Sequence, residues 1–191
     1  MFKLIDITKL TSSYRYSLII ETLSKWFKKS EQIVDIGSGN GIVIKLIMDH
    51  FNVKIIASDI KNYLIYDDIY FVKIKNGKLP FQAKQFDIAL LLDVLHHVSF
   101  KKQELLIKES LRVAKKVFIF DAKPTLAGKV ADLILNKYHY GDLEAPLTFR
   151  DVQNWTKLFN KMSLKSQVIS IKRPFWYPFS HVAFLIRKPN F

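Results

Sequence analysis

The residues best suited to chemistry in this sequence are three alternating glycines in the segment VDIGSGNG, residues 34–41. The residues ahead of this segment are typical of a short buried strand, and residues 42–51 are typical of an apolar helix. Because glycine has no Cβ, Gly37, Gly39 and Gly41 let the backbone turn sharply and approach a ligand closely. We therefore predict a ligand-binding loop between a strand and a helix.

An aspartate closes the next predicted strand and indicates what this loop binds. Asp59 follows residues 53–58 and lies eighteen residues after Gly41, where a carboxylate can accept hydrogen bonds from both hydroxyls of a ribose. Dinucleotide sites typically carry G-x-G-x-x-G and hold a pyrophosphate, whereas this loop has the order D-x-G-x-G-x-G. Asp35 would repel a pyrophosphate, but it suits a ligand with ammonium and sulfonium groups, such as S-adenosylmethionine (SAM).

Four segments in this order resemble the class I SAM-dependent methyltransferases: VDIGSGNG, IIASD, LPF and FDIALLLDVLHHV. The resemblance covers about residues 33–121 and points to the small-molecule branch that includes the quinone-biosynthesis methyltransferases. It implies an α/β, Rossmann-like sheet of seven mostly parallel strands in the order 3-2-1-4-5-7-6, with the last strand antiparallel and helices on both faces. It also implies SAM as the methyl donor and S-adenosylhomocysteine as the product, but no particular acceptor.

The resemblance further implies a cofactor site at the ends of the strands. Its expected residues are Asp35, Gly37, Ser38, Gly39, Asp59, Ile60, Asn76, Asp93 and Val94. Many relatives carry an aspartate near the position of Asn76 that reaches the adenine amino group, and an asparagine carbonyl can accept from the same group. Because the segment here is a residue shorter, that contact stays open. Arg15 could pair with the SAM carboxylate, as in some relatives, or face solvent.

Two histidines, His96 and His97, follow the fourth predicted strand at its carboxyl end, where ligands bind in open α/β sheets. Relatives often keep a histidine at the second position, facing the transferred methyl group. We therefore expect His97 to be the catalytic residue, since an imidazole can take a proton from an oxygen or nitrogen nucleophile near neutral pH. The alternative is a histidine that packs or caps; no metal is expected.

The segments outside the resemblance are expected to complete one domain over residues 1–191. We expect residues 1–30 to form a helical cover for the cofactor site, with Ser12 or Ser13 capping a helix that runs to about Lys29.

We expect residues 122–150 to form an insert on the substrate side, because the fold implied by the resemblance commonly builds the substrate wall after strand five. The candidate substrate contacts are Tyr138, His139 and Tyr140, although these aromatic residues could instead close the core. Thr148-x-x-Asp151 predicts a capping box that opens a further helix.

The composition excludes several other classes. The chain has 191 residues, of which 49% are hydrophobic and 25% charged, as in an ordinary globular domain. It has no cysteine, which excludes disulfides, thiolate metal sites and a cysteine nucleophile. Its apolar runs, such as residues 88–92, are too short to cross a bilayer. With no signal-peptide pattern at the N-terminus, we expect a cytoplasmic protein.

The net charge of +13 is concentrated at the two ends of the chain. Residues 1–30 contribute +4, residues 31–100 contribute −1 and residues 101–191 contribute +10. Such a field can steer anionic partners, although lysines on solvated faces are an equally good explanation. A small-molecule acceptor is the main expectation.

RNA is the second candidate acceptor, although there is no Asn-Pro-Pro-Tyr-type motif and no cysteine for attack on a pyrimidine. The aromatic residues 175–179 allow a third candidate, an apolar or membrane-held metabolite. A non-catalytic SAM-fold protein is the alternative from another class, and a nicotinamide oxidoreductase fits the loop poorly. The oligomeric state stays open.

Overall fold

The computed structural model describes residues 2–28, 31–140, 146–172 and 174–189, except the side chains of residues 2–12, 132 and 135–140. The strands are β1 (Ile33–Ile36), β2 (Ile55–Asp59), β3 (Phe71–Lys73), β4 (Phe86–Leu92), β5 (Ala114–Ala122), β6 (Lys165–Ser170) and β7 (His181–Arg187). The helices are α1 (Phe2–Ser24), α2 (Ile42–Phe51), α3 (Phe100–Val113), α4 (Leu126–Tyr140) and α5 (Val152–Lys161), with a 3₁₀ turn at Leu95–His97.

The strands form one sheet in the order β3-β2-β1-β4-β5-β7-β6, as predicted. β1 to β5 pair in parallel, and β7 runs antiparallel to both of its neighbours, β5 and β6. Ile33 pairs with Ile55 on one side and with Ile88 on the other. The carboxyl ends of the central strands therefore meet at the same edge, where ligands bind in folds of this type.

Helices cover both faces of the sheet, which explains why every residue of β1 and residues 88–91 of β4 are buried. One face packs against α3 and α5, whose buried side chains include Ile107, Leu111, Trp155 and Phe159. The other face packs against α1, α2 and α4. Its helical contacts include Leu18, Leu23, Ile44, Ile47 and Ala131. The sheet is thus held between two layers of helices, which fixes the positions of the strand ends.

Two predicted helix starts are wrong. α1 begins at Phe2 and ends at Ser24, so Ser12 and Ser13 lie inside the helix rather than at its cap. α5 is capped by Asp151, whose carboxylate accepts a hydrogen bond from the Asn154 amide at 2.7 Å. The capping box therefore does not form, because the hydroxyl of Thr148 donates to the carbonyl of Val98 instead.

In the part of the chain that the structure describes, no helix combines the length and the apolar character that a membrane crossing requires.

Candidate cofactor and active site

The glycine loop leaves β1 in a conformation that only glycine adopts easily. Gly37, Gly39 and Gly41 have φ angles of 82°, 53° and 80°, in the region that side chains disfavour. The Gly37 amide donates to the carbonyl of Ser58 at 2.7 Å, which ties the loop to β2. A Cβ at Gly37 would lie 2.5 Å from Cγ2 of Val94. The first glycine is therefore required both by its backbone angle and by the close approach of Val94.

Asp59 ends β2 directly beside this loop. One carboxylate oxygen accepts from the Gly39 amide at 2.9 Å, and the other accepts from the Ile60 amide at 2.7 Å. Burial raises the pKa of the Asp59 carboxyl, and the two amides offset part of that effect. The side chain of Ile60 is exposed. The predicted pair of loop and carboxylate is thus one hydrogen-bonded unit.

Asp35 lies beneath the loop and is almost completely buried. Its pKa is raised well above the ordinary value by burial and, secondarily, by the negative charge of Asp59. Among the residues that the structure describes, neither Asp35 Oδ1 nor the hydroxyl of Ser38 has a hydrogen-bond partner. Buried polar atoms normally have partners, so both atoms mark a place that suits a polar ligand.

SAM fits this arrangement. The glycine loop lies beside two buried polar atoms that lack partners among the described residues, Asp35 Oδ1 and the Ser38 hydroxyl, and Asp35 can receive a positively charged ligand. Asp59 presents its carboxylate at the neighbouring strand end, where a ribose is expected. Asp35, Asp59 and the glycine loop therefore lie at the ends of two adjacent strands.

Asp93 follows β4 at the same edge and connects three elements. Its Oδ2 lies 3.3 Å from Nη1 of Arg15 in α1, and its Oδ1 lies 3.5 Å from Nε2 of His181 in β7. Burial alone would raise the pKa of the Asp93 carboxyl, but His181 and Arg15 outweigh it and hold that pKa well below the ordinary value. The Arg15 side chain therefore pairs with Asp93.

The two histidines occupy the 3₁₀ turn immediately after β4. His96 is buried, and its Nδ1 shares a hydrogen bond with Oδ1 of Asp121 at the end of β5. The His96 ring stacks on Phe149 with a centroid distance of 4.9 Å. His97 is only partly buried, and its ring centroid lies 4.0 Å from that of His96. The turn thus holds one histidine rigidly inside and places the other nearer the surface.

Backbone contacts fix this turn from a distant part of the chain. The Thr148 amide donates to the carbonyl of His96 at 2.8 Å. Gln103 donates through Nε2 to the carbonyls of Leu95 and Thr148, each at 2.8 Å. Burial raises the pKa of the Asp121 carboxyl, and the adjacent His96 opposes that effect. Residues that follow α4 therefore help to position the histidines.

The other predicted site residues lie further out. Asn76 is exposed in a turn between Lys75 and Lys78, with a φ of 51°. This turn follows Ile74, whose amide donates to the carbonyl of Asp59 at 2.8 Å, so Asn76 is near the end of β2 in the sheet. The predicted substrate contacts lie in the last turn of α4, and their side chains are outside the described residues: Tyr138, His139 and Tyr140.

Sequence reasoning missed two features of the site. His181 comes from β7, and no local pattern marks it as a partner of Asp93. The pairing of His96 with Asp121 joins the ends of neighbouring strands, and only the position of each residue at a strand end hinted at it. Asp93, His96 and Asp121 each have a side-chain atom that could bind a metal ion, and these three atoms lie within 4.8 Å of one another. These groups already pair with Arg15, with His181 or with each other, and the expectation of no metal stays a prediction.

Comparisons with known proteins agree with this geometry. Residues 34–120 match the family model described as a methyltransferase domain. A SAM-dependent methyltransferase from Thermotoga maritima, described as a possible histamine N-methyltransferase, has a similar structure. Its TM-score is 0.68 at 16% identity, over 94% of this chain and 92% of that chain. No curated protein matches the chain.

Two further solved structures share the fold. Magnesium protoporphyrin IX methyltransferase from Synechocystis, solved with bound S-adenosylhomocysteine, has a TM-score of 0.68 at 13% identity, over 96% of this chain and 86% of that chain. A methyltransferase from Haloferax volcanii was solved in complex with the Trm112 activator. It has a TM-score of 0.66 at 13% identity, over 95% of this chain and 89% of that chain. At these identities the structures show a common fold.

The family match covers the glycine loop, the acidic end of β2 and the strands up to β5. These are the parts of the chain that carry Asp35, Asp59 and the buried loop geometry. Residues 34–120 therefore form a class I SAM-dependent methyltransferase domain, and the strands and helices around them complete the fold shared with the solved structures.

Proposed function

We propose that this methyltransferase acts on an oxygen or nitrogen atom of a small-molecule acceptor, as expected for the small-molecule branch that its sequence resembles. The observation that carries the proposal is the histidine turn at the carboxyl end of β4. It leaves His97 partly buried beside His96, which Asp121 holds in place. A titratable imidazole near the cofactor space favours an acceptor that loses a proton on methylation.

SAM supplies a methyl group that the adjacent sulfonium already activates for in-line displacement. The protein residues align the acceptor and exclude water, and such positioning can contribute roughly 7–11 kcal/mol. With SAM bound, the new bond to the methyl carbon would form as the bond from that carbon to sulfur breaks, with S-adenosylhomocysteine as the leaving group. The attacking oxygen or nitrogen atom would lose its proton to the imidazole of His97. His96 and Asp121 act as positioning residues that fix the turn.

The proposed roles of the remaining predicted residues follow from their places in the fold. Asp35, Asp59 and the glycine loop bind the cofactor, with Ser38, Ile60, Asn76, Asp93 and Val94 around it. α1 serves as a cover, which is supported by the contact of Arg15 with Asp93. The insert at residues 122–150 forms the acceptor side, which is supported by the contacts of Thr148 and Phe149 with His96. Tyr138, His139 and Tyr140 remain the proposed acceptor contacts within it.

Calorimetric titration with SAM, S-adenosylhomocysteine and NADH is the first test. We expect binding of the first two ligands and none of NADH. Incubation with methyl-labelled SAM and separate pools of phenols, amines and RNA then tests the acceptor. Label in a small-molecule pool is the expected result, whereas label only in RNA would overturn the proposal and favour the basic ends of the chain as an RNA-binding surface.

The role of His97 is tested with the acceptor found in this way. His97→Gln should lower kcat with little change in SAM affinity, and the pH dependence of kcat should lose its acidic limb. His50→Gln is a matched control, because His50 is an exposed histidine on α2. Unchanged kcat and pH dependence in His97→Gln would remove this residue from the reaction.

A further inference from the structure

α4 exposes an apolar face in the part of the chain that the structure describes. Leu126, Val130, Leu133 and Ile134 are 85%, 58%, 57% and 55% exposed. At 100° per residue these four positions fall on one side of the helix. The opposite side meets the protein, where Ala131 packs against the core. A surface helix normally presents polar residues to water, so this face is suited to contact with something apolar.

A second exposed apolar segment lies in the loop that leads into β7. A Cβ at Gly128 would lie 3.8 Å from Phe179 Cδ1 and from the carbonyl oxygen of Pro178, so α4 packs on the loop that leads into β7. In the same loop, Phe175 is 98% exposed and Trp176 is 41% exposed. We call the following six residues the apolar surface: Leu126, Val130, Leu133, Ile134, Phe175 and Trp176.

The two segments that carry the apolar surface are rich in basic residues. Residues 123–140 contain three lysines against one aspartate, and residues 172–178 contain Lys172 and Arg173 with no acid. Lys129 and Lys172 are exposed. The combination of aliphatic and aromatic side chains with cations is typical of proteins that bind at the interface of an anionic membrane.

Other occupants fit these features less well. A second copy of the chain would bring the same net charge of +13, which opposes self-association at a basic surface. Nucleic acid would match the charge, but it offers little to four aliphatic side chains on a helix. We propose that the apolar surface docks on an anionic lipid membrane, with the side chains of α4 in the headgroup region and the lysines near the phosphates.

Docking in this way would orient the site. α4 begins four residues after the end of β5, the strand that carries Asp121. Its apolar face therefore lies on the side of the molecule where the acceptor is proposed to enter. An acceptor dissolved in the membrane could reach the site from that side. This consequence rests on the proposed function, whereas the docking on the membrane is independent of it.

Vesicle flotation of the purified chain tests the proposal without SAM or an acceptor. Vesicles of phosphatidylcholine with phosphatidylglycerol are compared with vesicles of phosphatidylcholine alone. We expect the chain to float with the anionic vesicles only, and salt to weaken binding. The double variant Leu133→Ser/Ile134→Ser should weaken binding by at least roughly tenfold, and Lys129→Gln by about fivefold.

Matched controls are available on the opposite face of the sheet. Leu105 in α3 is 56% exposed, close to the value for Leu133, and Lys157 in α5 is exposed. Leu105→Ser and Lys157→Gln should leave flotation unchanged, and unfolding curves check that each variant folds.

Four outcomes would overturn the proposal. They are no flotation with anionic vesicles, equal flotation with neutral vesicles, equal losses in the controls, and undiminished flotation of the Leu133→Ser/Ile134→Ser variant. Self-association that this variant abolishes would assign the apolar surface to a second copy instead.

Discussion

The glycine loop provides a test in which two physical effects can be separated at one residue. Gly37→Ala places a Cβ at a φ of 82° and 2.5 Å from Cγ2 of Val94. The left-handed backbone angle costs about 1–2 kcal/mol for a residue with a Cβ. The overlap with the valine adds about 1–3 kcal/mol, as overpacking does in a protein interior. We therefore expect the free energy of unfolding to fall by about 2–5 kcal/mol.

Gly77 offers the matched control for the backbone effect alone. Its φ is 71°, and a Cβ there would meet no atom within 4 Å. Gly77→Ala should therefore cost only about 1–2 kcal/mol. The difference between the two losses in free energy of unfolding measures the cost of the steric overlap between the new Cβ and Val94.

A double-mutant cycle with Val94→Ala completes the test. Val94→Ala removes both γ-methyl groups that overlap the new Cβ, although the Val94 Cβ stays 3.2 Å away. The double variant should thus recover much, but not all, of the excess cost. Urea unfolding gives the stabilities, and calorimetry shows whether SAM affinity falls with Gly37→Ala and returns with the second change. Equal costs for Gly37→Ala and Gly77→Ala would refute the close approach of Val94 to the loop.

Three further predictions concern carboxylates. Asp59→Ala should weaken SAM binding because the carboxylate organises the loop and faces the expected ribose; calorimetry measures this, and Asp49→Ala on exposed α2 should have no effect. Asp35→Asn should weaken SAM binding yet raise the free energy of unfolding near neutral pH, because burial and Asp59 disfavour the ionised form. Because the pKa of Asp35 is raised in the folded protein, the stability gained by the variant should shrink as the pH falls through that pKa. Urea unfolding over a pH series measures this trend, which would be absent if the Asp35 carboxyl were solvated. Asp151→Ala should cost about 1 kcal/mol through loss of the α5 cap, and an unchanged unfolding midpoint would contradict the capping contact with Asn154.

The parts of the fold that the sequence predicts well are those set by local patterns. The run of apolar residues in β4 requires burial on both faces, which only a central parallel strand provides. The alternating glycines require a turn after β1, and their positive φ angles agree with that requirement. The position of Asp59 is also predicted locally, because this carboxylate directly follows the apolar residues of β2. Each of these features depends on neighbours within a few residues in the chain.

The parts that could not be predicted depend on contacts between distant segments. Arg15 and Asp93 are 78 residues apart in the chain, and His181 approaches the same carboxylate from β7. Thr148 fits a capping pattern by residue type, but its hydroxyl meets the 3₁₀ turn that α3 follows. Side-chain hydrogen bonds of this kind are decided by how elements pack, and residue spacing does not encode that choice.

The electrostatics of the three strand-end carboxylates connects the fold to its function. Asp93 is neutralised by Arg15 and His181, so its low pKa is a property of the protein alone. Among the described residues, no cation forms an ion pair with Asp35 or Asp59; burial raises both pKa values, and the charge of Asp59 raises that of Asp35 further. The free protein therefore holds two neighbouring carboxylates at a cost in stability. A ligand that brings positive charge to these carboxylates relieves that cost on binding, which is why the loop suits a sulfonium cofactor better than a pyrophosphate.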